Sequence, residues 1–117
     1  MRTAVIFVVL SGLFSASSQA LAETDSPLIL LIEHQQFSPA KLHIPGGAKT
    51  KIVVRNRDSM PAEFESYDLS REIVVPGHGE ATIYVGPLDV GSYRFFNDFN
   101  HDMQGEIVVS AASGKGE

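Results

Sequence analysis

The sequence predicts an all-β fold, a Greek-key β-sandwich or barrel of about eight strands. Three observations predict it. Apolar and polar residues alternate in short runs about ten residues apart, divided by Pro, Gly, Asn and Asp. No segment keeps the i, i+3, i+4, i+7 apolar spacing over a helix of several turns. The run Leu88-Asp89-Val90-Gly91-Ser92-Tyr93 has the form of a tyrosine corner, a device of such sandwiches.

The first segment stands apart from this pattern. Met1-Arg2 is followed by the apolar run Thr3–Leu10, then by small residues ending in Ala20-Leu21-Ala22. A charged start, a short apolar stretch and an A-x-A ending define a secretory signal peptide over residues 1–22. Ser11, Gly12, Ser15, Ser17 and Ser18 make the stretch too short and too polar to serve as a membrane anchor. The expected mature domain is 23–117, with its core at about 28–110 and a periplasmic location. Removing Arg2 makes it one charge more negative than the full chain.

The strands follow in order. Leu28–Ile32 is a continuous apolar run, as in a buried strand, ended by Ser38-Pro39. Leu42-His43-Ile44 is short and stops at Pro45-Gly46-Gly47. In Thr50–Asn56, Ile52 and Val54 share one face while Lys51 and Arg55 share the other. Phe64 opens another extended piece, and Ile73–Val75 ends at Pro76-Gly77. Ala81, Ile83 and Val85 alternate with Thr82 and Tyr84. Gly91–Asn97 carries Tyr93 and Phe95 on one face. Ile107 and Val109 begin a last strand face, and Ser110–Glu117 is a small, polar tail.

Composition removes several function classes. The 117 residues contain no cysteine, hence no disulfide, thiolate zinc site, iron–sulfur cluster or cysteine nucleophile. The formal charge is −5, from 9 Lys+Arg against 14 Asp+Glu, which opposes binding to nucleic acid. No Gly-x-Ser-x-Gly, His-Glu-x-x-His or phosphate-binding glycine loop occurs, so catalytic readings are weak and reach at most to redox assistance of iron oxidation within a transport system.

Two segments hold the residues with chemistry. Asp58–Ser66 carries Met60, Glu63 and Glu65, and Asn97–Gly105 carries His101 and Met103. Both are expected as loops at one end of the sandwich. Strand parity from Tyr93 and Phe95 runs on to Asn97, and Met103 shares parity with Ile107 and Val109. Asn97, His101 and Met103 are thereby expected to converge at a pole of the core. His, Met and carboxylate together suit copper, since sulfur favours Cu(I) and oxygen favours Cu(II). The candidate ligands are His101, Met103, Glu63 and Met60, with Glu65 behind Glu63. Each has a plain structural role open to it. Glu63 and Glu65 can be the solvent-facing neighbours of a core Phe64, Met103 a core filler, Met60 a loop cover, and Asp98 and Asp102 turn residues. His34, His43 and His78 read as incidental, with His43 facing solvent between Leu42 and Ile44.

From Pro39 to Val109 the chain resembles a cupredoxin-like domain of the EfeO type, found in bacterial iron-uptake systems. The likeness rests on Phe37-Ser38-Pro39, Ile44-Pro45-x-Gly47, Val54-Arg55-Asn56, Pro61-Ala62-Glu63-Phe64-Glu65-Ser66, Pro87-Leu88-x-x-Gly91-x-Tyr93-x-Phe95 and Gly105-x-Ile107-Val108-Val109. In blue-copper members the first loop supplies a His and the last supplies Cys, His and Met. Here Glu63 stands near the first His place and Asn97 at the Cys place, so no type 1 thiolate centre is expected. The resemblance implies copper, or iron, handled in the periplasm beside a membrane permease or redox partner of an iron-uptake system. The competing expectation is a metal-free sandwich that binds a partner protein through the same loops.

Overall fold

A computed structural model of the chain describes residues 27–111, so the leader expected at 1–22 and the tail 112–117 lie outside the described residues. Nine strands form two facing sheets, and there is no helix among the described residues. They are β1 (Leu28–Glu33), β2 (Gln36–Ser38), β3 (Lys41–Pro45), β4 (Thr50–Asn56), β5 (Ala62–Ser66), β6 (Arg71–Val75), β7 (Glu80–Val85), β8 (Gly91–Asn97) and β9 (Asn100–Ser110). One sheet has the order β2-β1-β4-β7 and the other β3-β9-β8-β5-β6. The all-β sandwich expected from the alternating runs is therefore present.

Most pairs are antiparallel, but β1 with β4 and β3 with β9 run parallel. These two parallel pairs are not legible in the strand spacing. Each arises because a chain crossing from one sheet to the other returns beside a strand of the same direction.

The two expected loops are mostly strand. Ala62–Ser66 forms β5, and β9 begins at Asn100, immediately after a turn at Asp98-Phe99. Backbone alternation thus governs where Glu63, Glu65, His101 and Met103 point.

The core lies between the sheets. Leu30, Ile32, Ile52, Val54, Ile83 and Val85 come from one side; Ile44, Phe64, Val75, Phe95, Ile107 and Val109 come from the other. Phe95 is central, edge-on to Phe37 at 4.9 Å and tilted against Phe64 at 5.0 Å between centroids. Gly105 sits under the Phe95 ring. A Cβ there would strike the ring and come within 2.9 Å of the Ala40 carbonyl, so the space is already used by Phe95.

The corner predicted at Leu88–Tyr93 closes as expected. The Tyr93 hydroxyl donates to the Asp89 carbonyl at 2.8 Å. His43 is exposed between buried Leu42 and Ile44, and His78 lies exposed in the β6–β7 turn.

Candidate functional site

At one end of the sandwich, the segment after β4, the β1–β2 turn and the β8–β9 turn meet. Asp58 holds the first two together. Its carboxylate accepts from the His34 and Gln35 amides, each at 2.9 Å, and from the Gln35 side chain at 3.0 Å. His34 and Gln35 both have positive φ, so this turn needs outside support. The Gln35 amide and the other donors hold the Asp58 carboxyl below its usual range. Asn100 Nδ2 reaches Gln35 Oε1 at 3.3 Å, and the Asp98 amide donates to the Glu63 carbonyl at 2.9 Å. The expectation that both segments occupy one end is met.

Two buried asparagines organise this end. Asn56 donates to the Met60 carbonyl at 2.7 Å and accepts from the Asp58 amide at 2.9 Å. Asn97 accepts at Oδ1 from the amides of Glu63 at 2.9 Å and Phe99 at 3.0 Å. Its Nδ2 donates to Met103 Sδ at 3.2 Å. Asn97 is 2% exposed, and so is Met103. Both functional ends of the amide are used, and the thioether sulfur is engaged as an acceptor.

His101 and Met103 do not converge. Strand pairing shifts between Phe96 and Asn97: Phe96 faces Gln104, yet Asn97 faces Asn100. Residues 101–103 are therefore extra on β9, a bulge that re-aims the chain. Met103 turns into the core, while His101 turns outward, packed edge-on against Phe96 at 5.2 Å. Met103 thus lies inward with Ile107 and Val109 and meets Asn97 as strand parity indicates, and the bulge takes only His101 off that face. Met60 is 61% exposed and contributes its carbonyl to Asn56. Ala62 and Phe64 are the inward residues of β5, so Glu63 and Glu65 stand on the outer face of the five-stranded sheet.

That outer face gathers a set that the sequence indicated only in part. Glu65 pairs with Glu72 on β6 and with Phe96 on β8. Glu63, Glu65 and Glu72 each bring a carboxylate oxygen to within 4.8 Å of the others. Glu65 Oε2 is covered and meets no hydrogen-bond donor. Loss of water around it, the facing Glu72 carboxyl, and the charges of Glu63 and Asp98 push the Glu65 carboxyl up to about 7. Asp98 in turn holds His101 Nε2 at 3.1 Å. Glu72 was missed at the sequence level. Its outward parity on β6 is readable from buried Val75, but its pairing with Glu65 is a fact of register.

The architecture and this end of it define a cupredoxin-fold domain. The model of the cupredoxin-like domain family matches residues 4–109, and the chain belongs to that family. It is 37% identical over 82 residues to an uncharacterized protein of Rickettsia prowazekii (strain Madrid E), covering 69% of this chain and 66% of that one. Among solved structures it is similar to amicyanin from Paracoccus versutus, with TM-score 0.59, 16% identity, and coverage of 74% and 83% of the two chains. A reduced Cu(I) amicyanin variant at pH 4 gives 0.59 at 15% identity, covering 74% and 84%. These likenesses show the fold.

The core pole does not fit the copper centre that this fold implies. No cysteine exists to supply a thiolate. The inward positions are Ala62, Asn97 and Met103, and the last two already satisfy one another. Among the described residues, no helix is long and apolar enough to cross a membrane.

Proposed function

We propose that this domain binds a metal ion on the outer face of its five-stranded sheet, through Glu63, Glu65 and Glu72, and not at the core pole. The observation that carries this reading is Glu65 Oε2, a covered carboxylate oxygen with no donor, facing two further carboxylates. A cation satisfies all three at once. Oxygens within 4.8 Å of each other suit an ion held at about 2.0–2.5 Å. By the Irving–Williams order Cu(II) is the divalent ion such a set holds most tightly, and an all-oxygen set also accepts iron. His101, placed by Asp98 on the same face, offers the nearby nitrogen. The cupredoxin fold supports copper handling or electron transfer as the setting. Export under residues 1–22 and service to an iron-uptake permease or redox partner in the periplasm complete the reading, and rest on the sequence alone. Nothing in the site calls for catalysis.

Equilibrium dialysis of the metal-stripped protein against Cu(II), with metal analysis, tests the site. One equivalent is expected, lost in Glu65→Gln/Glu72→Gln and kept in Met60→Ala. Retention of one equivalent by the double variant would sink the site. Absence of binding by the parent protein would leave the second reading, a metal-free adaptor. The self-satisfied Asn97–Met103 pair favours that reading, since it closes the pole without an ion.

A further inference from the structure

Beside the carboxylates, the same face carries three rings in a row. Tyr67, from the β5–β6 turn, lies 5.4 Å from Phe96, and Phe96 lies 5.2 Å from His101. Tyr67 is 74% exposed and the His101 side chain 69%. An aromatic side chain this exposed leaves much of its apolar surface in water. The ladder runs into a groove of about 550 Å³ walled by Lys41, Tyr67, Asp68, Arg94, Gln104 and Glu106.

Charge on this face is unbalanced. Among the described residues, Glu63, Glu65, Glu72 and Asp68 form no ion pair. Two of the three basic neighbours are otherwise occupied, and the third, Arg94, walls the groove. Arg71 donates to the carbonyls of Tyr84, Leu69 and Ser70 at the sheet edge, and Lys41 pairs with Glu106 at 3.4 Å. Exposed rings beside unpaired carboxylates form a surface complementary to cations, through both charge and the ring faces.

We propose that this face docks an extended, lysine- or arginine-bearing segment of a partner protein. Basic side chains lie over Tyr67 and Phe96 and reach Glu63, Glu65 and Glu72, while Arg94 in the groove meets the segment's backbone carbonyls. The negative face rejects nucleic acid and anionic lipid surfaces. A row of rings continued by a groove outruns a lone ion, which points to a chain. The docking needs no metal, so it extends the adaptor reading; it uses the same three carboxylates as the ion site, and a bound ion would compete with it.

The test is a titration of the ¹⁵N-labelled protein in EDTA with a synthetic peptide of alternating glycine and lysine, followed by amide shifts. Saturable shifts are expected at residues 63–72 and 94–104, reversed by added salt. Tyr67→Ala should weaken binding by about 2- to 5-fold. Glu63→Gln/Glu65→Gln/Glu72→Gln should weaken it by about tenfold. Glu33→Gln/Glu80→Gln, which removes equal-sign charge from the other sheet, should leave it unchanged. A well-dispersed spectrum checks the fold of each variant. Shifts scattered over the surface, equal weakening by the Glu33/Glu80 pair, equal response to a glycine–glutamate peptide, or no shifts would each overturn the proposal. Because EDTA is present, failure here is independent of whether the carboxylates hold an ion.

Discussion

At the residue scale, two buried amides, Asn56 and Asn97, close one end of the sandwich by hydrogen bonding. Asn97 ends an inward run that begins with Tyr93 and Phe95, as Asn56 ends one that begins with Ile52 and Val54. That parity is legible in the sequence, and a polar residue in an inward place signals a hydrogen-bonding duty. What the amide binds is not legible, because Glu63 and Met103 arrive from other strands. Asn97→Ala strands the amides of Glu63 and Phe99, and should destabilise the fold by about 2–4 kcal/mol in urea unfolding. Little change would mean that water substitutes for the carboxamide. Glu65 gives a pH signature. Its folded value, about 7, lies above the ordinary 4.5, so its contribution is full below pH 4.5 and is lost as pH rises through about 7. In EDTA, the melting temperature should fall between pH 5 and pH 8 by more in the parent than in Glu65→Gln. Matching pH profiles for the two proteins would refute that assignment.

Among the elements, β8 and β9 decide most. Their hairpin carries the Asp98-Phe99 turn and the bulge at residues 101–103. The bulge is invisible in the apolar pattern, since Met103 keeps the inward parity of Ile107 and Val109 and only the residues before it are displaced. This is why His101 and Met103 were expected together and are found apart. The start of β9 is better explained than predicted. Gly105 lets Phe95 lie across the strand, and a larger residue would push that ring into Phe37 and Phe64. Gly105→Ala should lower stability by about 1–3 kcal/mol through overpacking. The Tyr93 corner is the opposite case, since its partner lies four residues back in the same segment. Tyr93→Phe should cost about 0.5–1.5 kcal/mol in chemical denaturation. An unchanged midpoint would show that the hydroxyl bond is exchanged for water without loss.

For the whole molecule, the two faces of the five-stranded sheet carry two kinds of chemistry. The interior end is closed by Asn97 and Met103, and the acidic and aromatic groups face outward. Copper-loaded protein should therefore show weak bands only, with none of the intense blue charge-transfer absorption of a thiolate site. An intense blue band would contradict the ligand assignment outright. The sequence by itself determined the all-β class, the inward residues of most strands, the tyrosine corner and the exclusion of a thiolate centre. These are local matters of period-two alternation, short-range spacing and residue inventory. Only the tertiary structure decided the parallel β1–β4 and β3–β9 pairs, the face on which His101 lies, and the meeting of Glu63, Glu65 and Glu72. Those depend on which strands become neighbours and in what register. Pairing is settled by burial of the whole core, and a single strand carries no record of its partner.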